Sequence, residues 1–85
     1  MTALDSSVAR LPEHAERIRR LFWRDAEFRG LCTDLHVAAE TLTRLRHESP
    51  CEPKKVAEYQ QMLTELLDEL VDSLRQDRNE EARRS

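Results

Sequence analysis

Phe28-Arg-Gly-Leu31-Cys-Thr-Asp-Leu35-His-Val-Ala38-Ala-Glu-Thr-Leu42-Thr-Arg-Leu45 spaces its apolar residues by alternating gaps of three and four. Such gaps place Phe28, Leu31, Leu35, Ala38, Leu42 and Leu45 on one face of an α-helix, whereas a strand would group every second residue. Val56, Tyr59, Leu63, Leu66 and Leu70 repeat the pattern beyond a stretch that holds Pro50 and Pro53. Two amphipathic helices joined by a short, proline-marked turn read as an antiparallel helical hairpin over about residues 26–47 and 53–75.

Upstream, Pro12 suits the first turn of a helix, where its missing N–H costs nothing. Ala15, Ile18, Leu21 and Phe22 follow at helical spacing, which predicts a short preceding helix over about residues 12–24. Asp25 stands where the heptad asks for an apolar residue; it either caps a fresh helix from Ala26 or lies exposed on one continuous helix from Pro12 to about His47, and a bend or break there is the favoured reading. Gly30 weakens that helix by up to about 1 kcal/mol relative to alanine. At the hairpin turn two starts are open. Ser49 and Glu52 have capping-box spacing with Pro50 at the first helical position, or Glu52 caps a helix opened by Pro53.

The last helix carries more apolar surface than the middle one. Beside its first stripe lies a second, Leu63, Leu67, Leu70 and Leu74, flanked by Met62 and Val71. Together they are wider than one hairpin partner covers. The extra face of Leu67, Val71 and Leu74 therefore needs the first helix, a second copy of the chain or another helical protein, and a bundle completed by dimerisation is expected. The ends, about residues 1–10 and 76–85, are polar or charged without apolar anchors and are expected to fray.

The 85 residues allow one domain, 1–85, all-α in class: one glycine and three prolines supply little turn chemistry for strands. Apolar residues make up 39% and charged residues 36%, a balance that suits amphipathic helices better than a thick core. A net charge of −3 and a pI near 5.6 argue against a whole-surface nucleic-acid binder. The sequence has no apolar run long enough for a membrane span. Met1–Asp5 shows neither the basic nor the apolar stretch of a secretion signal. Two cysteines make no disulfide framework, so a reduced, cytoplasmic setting is expected.

Candidate chemistry is sparse. Cys32 with His36, and His47 with Cys51, have the i, i+4 spacing of metal ligands on one helical face. His36 and His47 are however separated by roughly 16 Å along a helix, too far to share one ion within a chain. With one glycine the chain builds no phosphate loop, and no serine sits in a strand–turn–helix elbow. Glu65, Asp68, Glu69 and Asp72 read as a solvated helix face. Neither catalysis, a metal nor a cofactor is expected.

Arg17, Arg19, Arg20 and Arg24 surround Phe22 and Trp23. Residues 10–30 hold six arginines against four acids, while residues 52–81 hold nine acids against four bases. A basic first helix and an acidic last helix attract, setting register and partner choice more than stability. The same arginine–aromatic set could instead contact nucleic acid or an anionic membrane surface. Phe22, Trp23, Leu67, Val71 and Leu74 form the expected partner surface, with Trp23 either an interface hot spot or the cap of one end of the bundle.

The run Ile18-x-x-Leu21…Asp25-Ala-Glu-Phe28-x-x-Leu31…Leu35…Leu42…Leu45, with Leu66-Leu-Asp-Glu-Leu70-Val-Asp-Ser-Leu74, resembles the YdcH-like family of short bacterial proteins over about residues 18–75. Members open a long helix with Asp/Asn-Pro-x-Phe-x-x-Leu; here Ala26 replaces the proline, and the last helix lacks the family's lysine-rich run. The resemblance implies a bacterial helical hairpin that oligomerises, and it transfers no functional residues. The expected function is a non-enzymatic, homodimeric interaction module; the alternative is a nucleic-acid or membrane-surface binder.

Overall fold

A computed structural model describes residues 2–48, 50 and 52–84. It contains four helices, α1 (Ala3–Arg10), α2 (Ala15–Arg24), α3 (Ala26–His47) and α4 (Pro53–Arg84), with a 3-10 turn at Pro12–His14 and no strand among the described residues. The chain is therefore all-α. The α3–α4 hairpin is its spine, α1 lies on α3 and α2, and α2 also packs on α3. No helix among the described residues is long and apolar enough to cross a membrane.

Each boundary has a local cause. Asp25 adopts an extended backbone (φ −120°, ψ 112°), and its carboxylate accepts hydrogen bonds from the N–H groups of Glu27 (2.9 Å) and Phe28 (3.3 Å). It caps α3 as its position in the heptad predicted. The Arg29 guanidinium donates to the Phe22 carbonyl at 3.0 Å, meeting the electronegative end of α2. α3 ends with Arg44, Arg46 and His47 in its last turn, and the His47 ring donates from Nδ1 to the Thr43 carbonyl at 2.7 Å. α4 opens at Pro53, the second of the two starts considered; the alternative cap, Ser49, falls outside the described residues.

Both ends depart from the expected fraying. Residues Ala3–Arg10 form a helix because Thr2 and Asp5 build a reciprocal capping box: the Asp5 N–H donates to Thr2 Oγ1 (3.1 Å) and the Thr2 N–H to Asp5 Oδ2 (3.4 Å). Ser6 and Ser7 are buried against α3. At the other end α4 does not stop near residue 75 but continues to Arg84, anchored by the buried Asp77.

The core joins Ile18 and Leu21 of α2, Phe28, Cys32, Leu35, Ala38 and Leu42 of α3, and Leu63, Leu70 and Leu74 of α4. One detail differs from the expected seam. Cys32 is fully buried while Leu31 is only half-buried, because α1 covers the Cys32 side of α3.

Gly30 is exposed, and no atom beyond its own helix turn lies within 4 Å of where a Cβ would stand. Gly30→Ala should therefore raise stability by about 0.5–1 kcal/mol in urea unfolding, by relieving the backbone entropy of a mid-helix glycine. Leu70→Ala, at a position with no exposure, should lower it by about 2–5 kcal/mol.

Candidate interaction surface

α2 is held to α4 by a double ion pair. Arg17 Nη1 lies 3.2 Å from Asp77 Oδ2, and Arg24 Nη2 lies 2.7 Å from Asp77 Oδ1. Seven residues are two helical turns, so both arginines leave α2 on one side and converge on a single carboxylate. Asp77 is 6% exposed, the one buried charged side chain among the described residues. Its two oxygens each have an arginine partner, the condition under which a buried carboxylate is tolerated.

This divides the expected basic patch. Arg17 and Arg24 serve the internal clamp; Arg19 is exposed, and Arg20, also exposed, lines the groove between α2 and α4 with Val71, Arg75 and Arg78. The expected partner surface divides too. Leu74 is buried within the core, and Leu67 and Val71 are half-buried, with Val71 and Leu74 lining a groove whose other wall is α2. Of the wide face of α4, Leu74 is thus taken up by the chain's own core, while Leu67 and Val71 stay partly open. Phe22 is half-buried and meets the Trp23 ring edge-on, with centroids 5.2 Å apart and planes at 82°. Trp23 itself is 72% exposed, braced by Phe22 but uncovered.

A second polar cluster ties α1 to α3. Ser6 Oγ and His36 Nδ1 are 2.6 Å apart, and His36 Nε2 lies 3.2 Å from Glu40 Oε1. With Nε2–H facing the carboxylate, Nδ1 accepts the Ser6 proton. Serine, histidine and carboxylate in series also occur in acyl-transfer sites. Here Ser6 is buried and its own N–H is bonded to the Thr2 carbonyl, so neither the access nor the local oxyanion donor of such a site is in place. The series reads as an interhelical tie.

The two Cys/His pairs do not come together as ligands. Cys32 is buried beside Ser7, and Cys51 lies outside the described residues. Among the described residues no group of three or more His, Cys, Asp or Glu side chains is arranged to hold a metal. Burial pushes the Cys32 thiol above its ordinary pKa, partly opposed by a hydrogen bond with Ser7. Comparison of the chain with protein-family models, with curated proteins and with solved structures gave no match, so none of them bears on the likeness to the YdcH-like family.

Sequence periodicity missed Ser6, Ser7 and Asp77 because it counts only apolar residues. The Thr2-x-x-Asp5 spacing was the available signal for α1. For Asp77 the signal was the pair Arg17 and Arg24, two turns apart on the basic helix.

Asp77→Ala should cost roughly 1–3 kcal/mol, less than a fully buried pair because the Arg24 side chain is 55% exposed. Amide exchange in α2 should quicken while the centre of α3 stays protected. Cys32 should resist alkylation until the protein unfolds, read in a Cys51→Ser background. Because the folded state holds the Cys32 proton more tightly than the unfolded chain, its contribution to stability is complete below the ordinary thiol range and is lost as pH rises through it. Urea midpoints taken from neutral pH to about pH 10 should thus fall more steeply for wild type than for Cys32→Ala.

Proposed function

We propose that this chain is a non-enzymatic helical interaction module that associates with a second copy of itself, in a reducing cytoplasmic setting. The observation that carries this reading is the amount of surface left open. The chain exposes 6117 Å², against about 5,200 Å² expected for a compact monomer of 10.0 kDa. The excess is comparable to one partner's share of a standard interface, about 800 Å². The radius of gyration points the same way: 14.6 Å, against about 12 Å for a compact domain of this length.

Chemistry has less support. The double ion pair satisfies Asp77, and the Ser6–His36–Glu40 series has the character of a tie. The reading of α2 as a nucleic-acid or membrane-surface element retains Arg19 and Trp23 on an exposed face, but Arg17 and Arg24 are engaged by Asp77 and Arg20 lines the groove against α4. That leaves a small cationic footprint on a chain of net charge −3.

Sedimentation equilibrium decides between these readings. A dimer at tens to hundreds of micromolar is expected; a monomer throughout sinks the self-association reading. Binding to duplex DNA, RNA or anionic vesicles should be undetectable even at low salt. Tight binding that weakens steeply with added salt would instead favour the alternative.

A further inference from the structure

The α3–α4 hairpin has two flanks, and the chain packs its other helices on one of them. On that flank Cys32 follows Phe28 by four residues in α3, and Leu74 follows Leu70 by four in α4, each turned about 40° from the seam. α1 lies there through Ser7 beside Cys32 and Ser6 on His36, and α2 brings Ile18 and Leu21 into the core that holds Leu74. Residues turned the opposite way fall on the other flank. Thr41 precedes Leu42 by one residue and Met62 precedes Leu63 by one, each turned about 100° from the seam. Rotation in the same sense puts both on the same side of an antiparallel pair. With α3 ending at His47 and α4 opening at Pro53, they also stand within about one turn of the same level.

This second flank is open and apolar. Met62 is 45% exposed, and Val37, one turn from Thr41 on α3, is 56% exposed. Tyr59 and Leu66, on the edge of the seam that faces this flank, are half-buried, as is Thr41. Their exposure marks the side of the hairpin that α1 and α2 leave bare. We infer that a second copy of the chain covers it, hairpin on hairpin, so that Val37, Tyr59, Met62 and Leu66 of both copies form one apolar layer.

Area and shape favour a copy of this chain as the occupant. The open flank runs the length of the 22-residue α3, about 33 Å, and is two helix diameters wide, an outline of roughly 650 Å². That is the scale both of the surplus surface noted above and of one partner's share of a standard interface, about 800 Å². A like hairpin laid on this flank completes a layered helical bundle whose other side α1 and α2 already close. Each copy offers the same face, so the contact closes at two chains. Asp34, Glu65 and Glu69 border the patch, and α4 has no base between Val56 and Leu74. A copy therefore brings carboxylates toward carboxylates, which keeps association weak and makes it tighten as salt is added. A basic helix from another protein would respond to salt in the opposite sense.

The inference rests on the self-association reading above and names its surface, and one experiment separates the two. Full-length wild type, the double variant Val37→Glu/Met62→Glu, Glu69→Lys and Trp23→Ala are compared by sedimentation equilibrium at low and high salt. Glutamate is a good helix former and both positions are exposed, so the double variant should melt close to wild type. It should nonetheless weaken association by at least about tenfold. Glu69→Lys should tighten association several-fold at low salt, a gain that misfolding cannot produce. Trp23→Ala, on another part of the surface, should leave it unchanged, and wild type should associate more tightly as salt rises. A wild-type dimer that salt weakens, that Glu69→Lys fails to tighten, that the double variant leaves intact or that Trp23→Ala abolishes overturns this contact while leaving self-association standing. A wild-type monomer at every concentration overturns both.

Discussion

Placement of α2 depends on one carboxylate. Asp77 is buried, and Arg17 and Arg24 reach it from positions two turns apart on α2, one to each oxygen. Any arrangement that buried Asp77 without both arginines would leave a desolvated charge poorly paired, at a cost of several kcal/mol. The clamp therefore selects position more than it adds stability, since the Arg24 half of the pair is partly screened by water. Stability comes from what the clamp aligns, Ile18 and Leu21 in the same core as Leu70 and Leu74. With α2 fixed, the short link through Leu11 and Pro12 brings α1 back along α3, where Ser6 meets His36 and Ser7 lies beside Cys32.

The parts of this fold that were legible in the sequence are those held by apolar spacing. Phe28, Leu35, Ala38, Leu42 and Leu45 are buried on α3 as their gaps required, and Asp25 ends one helix and caps the next. The parts that were not legible are held by polar groups. α1 buries two serines, and its apolar residues Ala3, Leu4 and Val8 are only partly covered, so no stripe announces it. The far end of α4 has no leucine after Leu74; what replaces it in the interior is a charge, which a hydropathy pattern scores as surface. Cys32 and Leu31 show the same limit on a smaller scale. Adjacent residues on one helix exchange roles once a further helix arrives on one side, and that arrival is not written in the spacing.

The surface follows the same logic. The surplus of apolar residues on α4 gave the sequence its strongest hint of a partner, yet the chain takes Leu74 into its own core beside Ile18 and Leu21 of α2 and leaves Leu67 and Val71 half-buried. Exposed apolar surface does not vanish as a result; it moves. Packing its Ile18 and Leu21 side inward leaves α2 with its opposite side, and Trp23, in water.

The break at Asp25 makes that exchange necessary. On an unbroken helix from α2 into α3, Ile18 would lie about 100° around the axis from Leu35, off the seam that faces α4. A single straight helix would leave Ile18 off that seam, although Leu21, about 40° from Leu35, would stay near it. Breaking the chain at Asp25 lets α2 rotate independently, so both stripes are buried and Arg17 and Arg24 come to share Asp77.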